Sequence, residues 1–234
     1  MMLHHYILQR QQQLLEQQMD FYTPTGIHVY IKDPIRNKNV DIEEVVARVE
    51  QTIPNHLLGE VEMIIVGDFA EFKERSLNAF YEGGTVYISP DQDDNQDLYD
   101  DIIHELSHSL EQPHGAMIYQ DGKIEREFLE KRKHLHRLLW ETGHKIPEAV
   151  FLNTEYDEEF DMFLLNNIGY DKLQVLTQGI FVRPYAATSL AEYFATAFEE
   201  YYLDSNHTHL KSVSPQLYKK LLYLQDPENL DNGF

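Results

Sequence analysis

Two observations predict a mixed α+β fold. Short β-branched and aromatic runs are confined to residues 23–96, and helical apolar periodicity fills nearly everything after about residue 95. A third observation, the lack of internal repeats and of any linker rich in Gly, Pro or Ser, predicts one domain over 1–234. That domain is expected to have two lobes, a small mixed sheet in the N-terminal one and a mainly helical C-terminal one.

Composition sets the bounds. Of 234 residues, 42% are hydrophobic, and 15 Tyr, 12 Phe and 1 Trp add aromatic bulk, enough for a sizeable core. There is no cysteine, which removes disulfides, thiolate metal sites and cysteine nucleophiles and leaves histidine and carboxylates as the good metal ligands. A formal charge of −21 makes the chain a poor partner for nucleic acid or an anionic membrane, because both present phosphate. Residues 1–18 lack the apolar stretch and small-residue cleavage site of a secretory signal, and no later run has the length of a membrane helix. The expectation is a cytoplasmic protein by default, with export by a dedicated route left open.

Taken in order, Ile7, Leu8, Leu14 and Leu15 in a glutamine-rich frame predict a helical arm within residues 1–22. Residues 27–32, between Gly26 and Pro34, read as a strand. Asp41 and Glu44 form a capping box for a helix carrying Ile42, Val45, Val46 and Val49, which stops at Pro54. Val61 to Val66 reads as a buried strand, and Gly83-Gly84 predicts a hairpin feeding an edge strand at 85–88 that ends at Pro90. These elements make up an α/β lobe over 23–96.

Leu98, Ile102, Leu106 and Leu110 then mark a helix over 97–112, closed by Pro113 and Gly115. The remainder, 113–234, reads as a helical lobe: 123–140 on the stripe Ile124, Phe128, Leu135 and Leu139, 155–178 with a break near Gly169, an aromatic helix at 189–203, and a last one at 215–225. The basic cluster Lys131–Arg137 reads as a solvated face, and His134, His136, His207 and His209 as surface residues. Tyr193, Phe194, Phe198, Tyr201 and Tyr202 read as core.

The chemistry-bearing segment is His104-Glu105-Leu106-Ser107-His108. Residues i and i+4 share one face of a helix, so the two imidazoles can grip one Zn²⁺ while Glu105 takes a proton from a metal-activated water. Composition alone would generate His-Glu-x-x-His somewhere in this chain with a chance of about 6%, so the pattern is read as chemistry. A catalytic zinc needs a third protein ligand. His114 stands at the third-histidine position of the metzincin pattern, although Glu111 occupies the glycine position of that pattern and no Met-turn is evident. Glu192, on a separate helix, is the alternative. It is also the last residue of a second capping box, Ser189-Leu-Ala-Glu192, which would give its carboxylate a purely structural use. Tyr185 has a core-filling alternative as well.

Taken together, His104-Glu105-Leu106-Ser107-His108 and Tyr185 through Phe198, with Tyr185 seven residues before Glu192 and Tyr193-Phe194-Ala195-Thr196-Ala197-Phe198 after it, resemble the catalytic domain of anthrax toxin lethal factor and its relatives, the Pro-Pro endopeptidases among them. The resemblance covers about 20 residues and implies a zincin-like fold of the gluzincin type. It implies His104, His108 and Glu192 as ligands of one Zn²⁺, Glu105 as general base, and Tyr185 as the phenol facing the developing oxyanion. Residues 113–184 then form an insertion relative to that family, and Thr196 stands where relatives carry a carboxylate, with Glu199 as its substitute. The expected activity is zinc-dependent endopeptidase action on a peptide or protein substrate laid along the strand at 84–88. The alternatives are a metzincin-type peptidase using His114, and a non-catalytic, zinc-stabilised binding or structural protein.

Overall fold

The computed structural model describes residues 20–75 and 77–231. The fold is mixed α+β, 59% helical, with a small five-stranded mixed sheet. Two compact units divide between Ser109 and Leu110. The helical arm expected over residues 6–18 lies outside the described residues.

The first unit is built on the sheet, in the order β1-β2-β3-β5-β4. Its strands are β1 (Asp20–Tyr22), β2 (His28–Ile31), β3 (Met63–Val66), β4 (Ala79–Glu82) and β5 (Thr85–Ile88). β1 takes Asp20, Phe21 and Tyr22 out of the expected arm and pairs them antiparallel with β2. β2, β3 and β5 are mutually parallel. Each of the three alternates half-buried with buried positions, so Val29, Ile31, Ile64, Val66, Val86 and Ile88 share the core face. The helix α1 (Ile42–Thr52) crosses between β2 and β3, and its Asp41 cap accepts the Glu44 N–H at 3.1 Å. The short α2 (Ala70–Arg75) follows β3.

One expectation about the sheet is corrected. β5, the strand at 85–88, is internal, flanked by β3 and β4. The hairpin is as expected: Gly83 (φ 56°) and Gly84 (φ 83°) make a two-residue connection with positive φ at both positions, which folds β4 back alongside β5. It is the parallel pairing of β3 on the other side that makes β5 internal. Among the described residues the edge strands of the sheet are therefore β1 and β4, and β4 rather than β5 is the edge on the hairpin side.

Helix α3 (Asn95–Tyr119) corrects a second expectation, because it runs through Pro113 and Gly115 to Tyr119. Asp94 caps its start by accepting the N–H groups of Gln96 (2.8 Å) and Asp97 (3.0 Å). Pro113 withholds one helical N–H, a fault of about 3 kcal/mol in a helix interior. The fully buried Leu110 and Ile118 anchor the helix on either side of it. No helix of the described residues is long and apolar enough to cross a membrane.

The second unit is helical. It comprises the end of α3, then α4 (Lys123–Glu141), α5 (Glu158–Phe163), α6 (Tyr170–Thr177), α7 (Leu190–Leu203), α8 (Thr208–Val213), α9 (Pro215–Leu224) and α10 (Pro227–Asp231). A π-helical turn (Leu164–Ile168) joins α5 to Gly169, whose φ of 85° breaks the helix before α6. Tyr193, Phe194 and Phe198 are fully buried, whereas Tyr201 and Tyr202 are half-buried.

α4 is the scaffold of this unit. Ile124, Phe128, Leu135 and Leu139 are fully buried as the periodicity predicts. The basic cluster beside them is only partly a solvated face. Lys133, His134 and Arg137 are exposed, but Arg132 is 1% exposed, and Lys131 Nζ donates to the carbonyls of Ile180 and, at 2.6 Å, Val213. Glu127 accepts the N–H groups of Gln216 (2.9 Å) and Leu217 (3.3 Å), doing for the first turn of α9 what a capping residue does. It also accepts the Tyr193 hydroxyl at 2.8 Å. Through Glu127 and Tyr193, α4 within segment 113–184 bonds directly to the aromatic helix α7.

Candidate metal centre

His104 and His108 stand one helical turn apart on α3, with ring centroids 5.2 Å apart. Their helix is apolar on its packed side, where Leu98, Ile102, Ile103 and Leu106 are buried to 1% exposure or less. Two serines sit in this stripe without polar cost. Ser107 Oγ donates to the His104 carbonyl at 2.6 Å and Ser109 Oγ to the Leu106 carbonyl at 2.7 Å, so each hydroxyl is satisfied inside its own helix. Glu105, between the histidines, is 8% exposed, while both imidazoles remain half-buried.

Asp101, one turn before His104, is held by Gln92, whose Nε2 donates to it at 3.1 Å. Burial pushes its carboxyl up to about 7, with the neighbouring carboxylates of Asp97 and Glu105 adding to the rise.

Tyr185 and Glu192 come from the 3-10 turn Pro184–Ala187 and the first turn of α7. Pro184 fixes the entry to the turn, and Thr188 closes it: its N–H (3.0 Å) and its hydroxyl (2.8 Å) both donate to the Tyr185 carbonyl. Ser189 then caps α7 by accepting the Glu192 N–H at 3.0 Å. Arg183, two residues before Tyr185, pairs with the carboxylate of Glu199, two helical turns beyond Glu192. Glu199, expected as an outer-sphere carboxylate in place of Thr196, is thus engaged by Arg183. The Leu190 N–H donates to the Thr154 carbonyl at 2.8 Å, which ties the start of α7 to the chain leading into α5.

One ligand atom from each of His104, His108 and Glu192 lies within 4.8 Å of the others, and all three side chains are half-buried. Among the described residues this is the one group of three or more such side chains that could hold a metal ion. Two imidazole nitrogens and one carboxylate oxygen are the kinds of donor atom that Zn²⁺ takes from proteins. His114 lies six residues beyond His108 on the uninterrupted helix α3, about 9 Å further along its axis by helical rise. The chain therefore makes no turn after His108 of the kind that would bring a third histidine back.

Two groups around Glu192 carry no signal in the sequence. Asp161 accepts the Tyr156 hydroxyl at 3.0 Å, and its carboxyl is raised first by burial and further by the charge of Glu192. The Tyr119 phenol is pushed well above the usual tyrosine range by burial, and the carboxylates of Glu111, Glu192 and Glu155 add to that shift. No protein-family model, curated protein or solved structure matches the chain.

Proposed function

We propose that this protein is a zinc-dependent endopeptidase with a zincin-like, gluzincin-type centre. The observation that carries the reading is the convergence of donor atoms from His104, His108 and Glu192 within 4.8 Å, the two histidines lying in a His-Glu-x-x-His pattern that composition alone would produce with a chance of about 6%. The bound metal would supply Lewis acidity and lower the pKa of a water to about 7.

The chain's own residues supply the rest. Glu105 follows His104 directly, so its carboxylate is the base that takes a proton from the attacking water and returns it to the leaving amine. Its low exposure, 8%, shields that proton transfer from bulk solvent. Tyr185, fixed by Thr188 through two hydrogen bonds to its carbonyl, is the phenol that donates to the carbonyl oxygen as negative charge develops on it. A peptide substrate adds by main-chain hydrogen bonds to the edge of β4. The charge of −21 favours encounter with cationic polypeptides over nucleic acid.

The test is a peptide-library cleavage assay on metal-stripped and zinc-reconstituted protein, with products read by mass spectrometry. Cleavage that requires zinc and is abolished by chelator is expected. A zinc-loaded chain that cleaves nothing would favour the non-catalytic alternative.

A further inference from the structure

We propose that Arg132, on α4, is the positioning residue that holds the Tyr185–Glu192 segment in place for the metal centre, an inference that rests on the reading above. Its guanidinium is 1% exposed and bridges two stretches of backbone. Nη1 donates to the carbonyls of Asn153 (2.8 Å) and Thr188 (3.3 Å), and Nη2 to that of Val150 (2.9 Å). Thr188 is the residue whose hydroxyl holds the Tyr185 carbonyl, and it directly precedes Ser189, the cap whose hydroxyl receives the Glu192 N–H. One side chain thus fixes the point midway between the two proposed functional groups. It also pulls in residues 150–153, next to Thr154, which accepts the Leu190 N–H.

Stability alone is a poor reason for this arginine. Its Nε finds no acceptor among the described residues. A charge buried this deeply carries a desolvation cost that its hydrogen bonds offset only in part, and an apolar side chain of similar volume would avoid that cost while leaving the three carbonyls without this donor. The surrounding rings of Phe160, Phe128 and Phe151, at 4.3, 5.3 and 5.7 Å, would accept such a side chain. What the guanidinium supplies, and neither methionine nor lysine can, is a rigid planar fork that reaches three carbonyls at once.

The test uses the full chain as wild type, Arg132→Lys and Arg132→Met. It measures amide exchange over 185–192 in metal-free protein, zinc affinity by chelator competition, and kcat and KM of the zinc-loaded protein. Arg132→Lys is expected to fold, to exchange faster at Leu190 and Glu192, and to bind zinc roughly 10- to 100-fold more weakly, the usual scale for losing an outer-sphere support. Its kcat should fall while KM stays within about twofold, because the loss is in transition-state geometry. If Arg132→Met does not fold, the lysine variant decides alone. Exchange and zinc affinity within about twofold of wild type in Arg132→Lys, whatever its melting temperature, would overturn the role. Wild-type protein that takes up no zinc overturns the metal reading and this role together, whereas zinc-binding wild type beside an indifferent lysine variant overturns the role alone.

Discussion

The Ser189 hydroxyl accepts the backbone N–H of Glu192 at 3.0 Å, while an oxygen of the Glu192 carboxylate lies within 4.8 Å of a ring nitrogen of His104 and of one of His108. The two uses that the sequence left in competition for this glutamate fall on different atoms of it. The capping bond engages the main-chain N–H of Glu192, and the proximity to the histidines belongs to its carboxylate. If Glu192 is the ligand proposed above, cap and ligand cooperate, since the hydrogen bond fixes the first turn from which the carboxylate projects.

Ser189→Ala tests that cooperation. Loss of an N-cap hydroxyl costs about 1 kcal/mol, so the urea midpoint should fall by a corresponding amount at an unchanged slope. Zinc affinity should fall as well. A Ser189→Asp variant, which restores an acceptor, should recover both. If stability drops while zinc affinity holds, the cap does not serve the ligand.

Glu105 and Glu192 separate chemistry from metal binding. Glu105→Gln should retain zinc and lose roughly 10²-fold or more in turnover, the scale of a general base. Glu192→Ala should lose most of its zinc, because two imidazoles alone make an incomplete protein ligand set. Metal content by mass spectrometry beside a peptide-cleavage assay reads both. Normal zinc in Glu192→Ala would remove that residue from the ligand set.

Much of the fold was legible because apolar periodicity is a local signal. The strand at 85–88 and the helices beginning at 123 and 215 were readable to within a residue or so, and the Asp41 box gave the start of α1. What escaped depends on partners distant in sequence. β5 became internal because of where β3 lies, which no property of residues 85–88 records. The helix outran Pro113 because Leu110 and Ile118 are both fully buried, and tertiary packing overrode a local breaker. Arg132 was hidden among surface cations, although one clue was present: it falls four residues after Phe128 and three before Leu135, squarely on the apolar stripe. The candidate site was the converse case, since its spacing is written into the chain whereas its support by Thr188 and Thr154 is not.

The Arg183–Glu199 pair is expected to be a strong coupling for a partly exposed bridge, because the Glu199 side chain is only 6% exposed and that of Arg183 38%. A double-mutant cycle of Arg183→Met and Glu199→Gln should give a coupling of about 1–3 kcal/mol, above the surface median of about 0–1 kcal/mol. Because Arg183 leads into the turn carrying Tyr185, Arg183→Met should also lower kcat. A coupling indistinguishable from zero by urea unfolding would show that the pair adds no net stability.

Asp101 makes the stability of metal-free protein depend on pH with a sign opposite to that of a salt-bridged carboxylate. Burial holds its folded-state pKa at about 7, above the unfolded value of 3.8. The folded state therefore binds this proton more tightly than the unfolded chain does, and the contribution declines as pH rises from about 4 to about 7. Above that window the ionised carboxylate carries a constant penalty of at most about 4 kcal/mol, from about 1.4 kcal/mol per unit of pKa. Asn keeps an acceptor for Gln92 Nε2 and carries no charge, so Asp101→Asn should match wild type near pH 4 and be the more stable protein at pH 8. Titrations shared by both proteins cancel in the difference between their urea midpoints, which isolates this one group. If the difference is flat across pH 4 to 8, Asp101 is not a buried, reluctantly ionised acid. If it has the reverse slope, the ionised form is the stabilised one, and a positive charge at the neighbouring imidazoles dominates its environment.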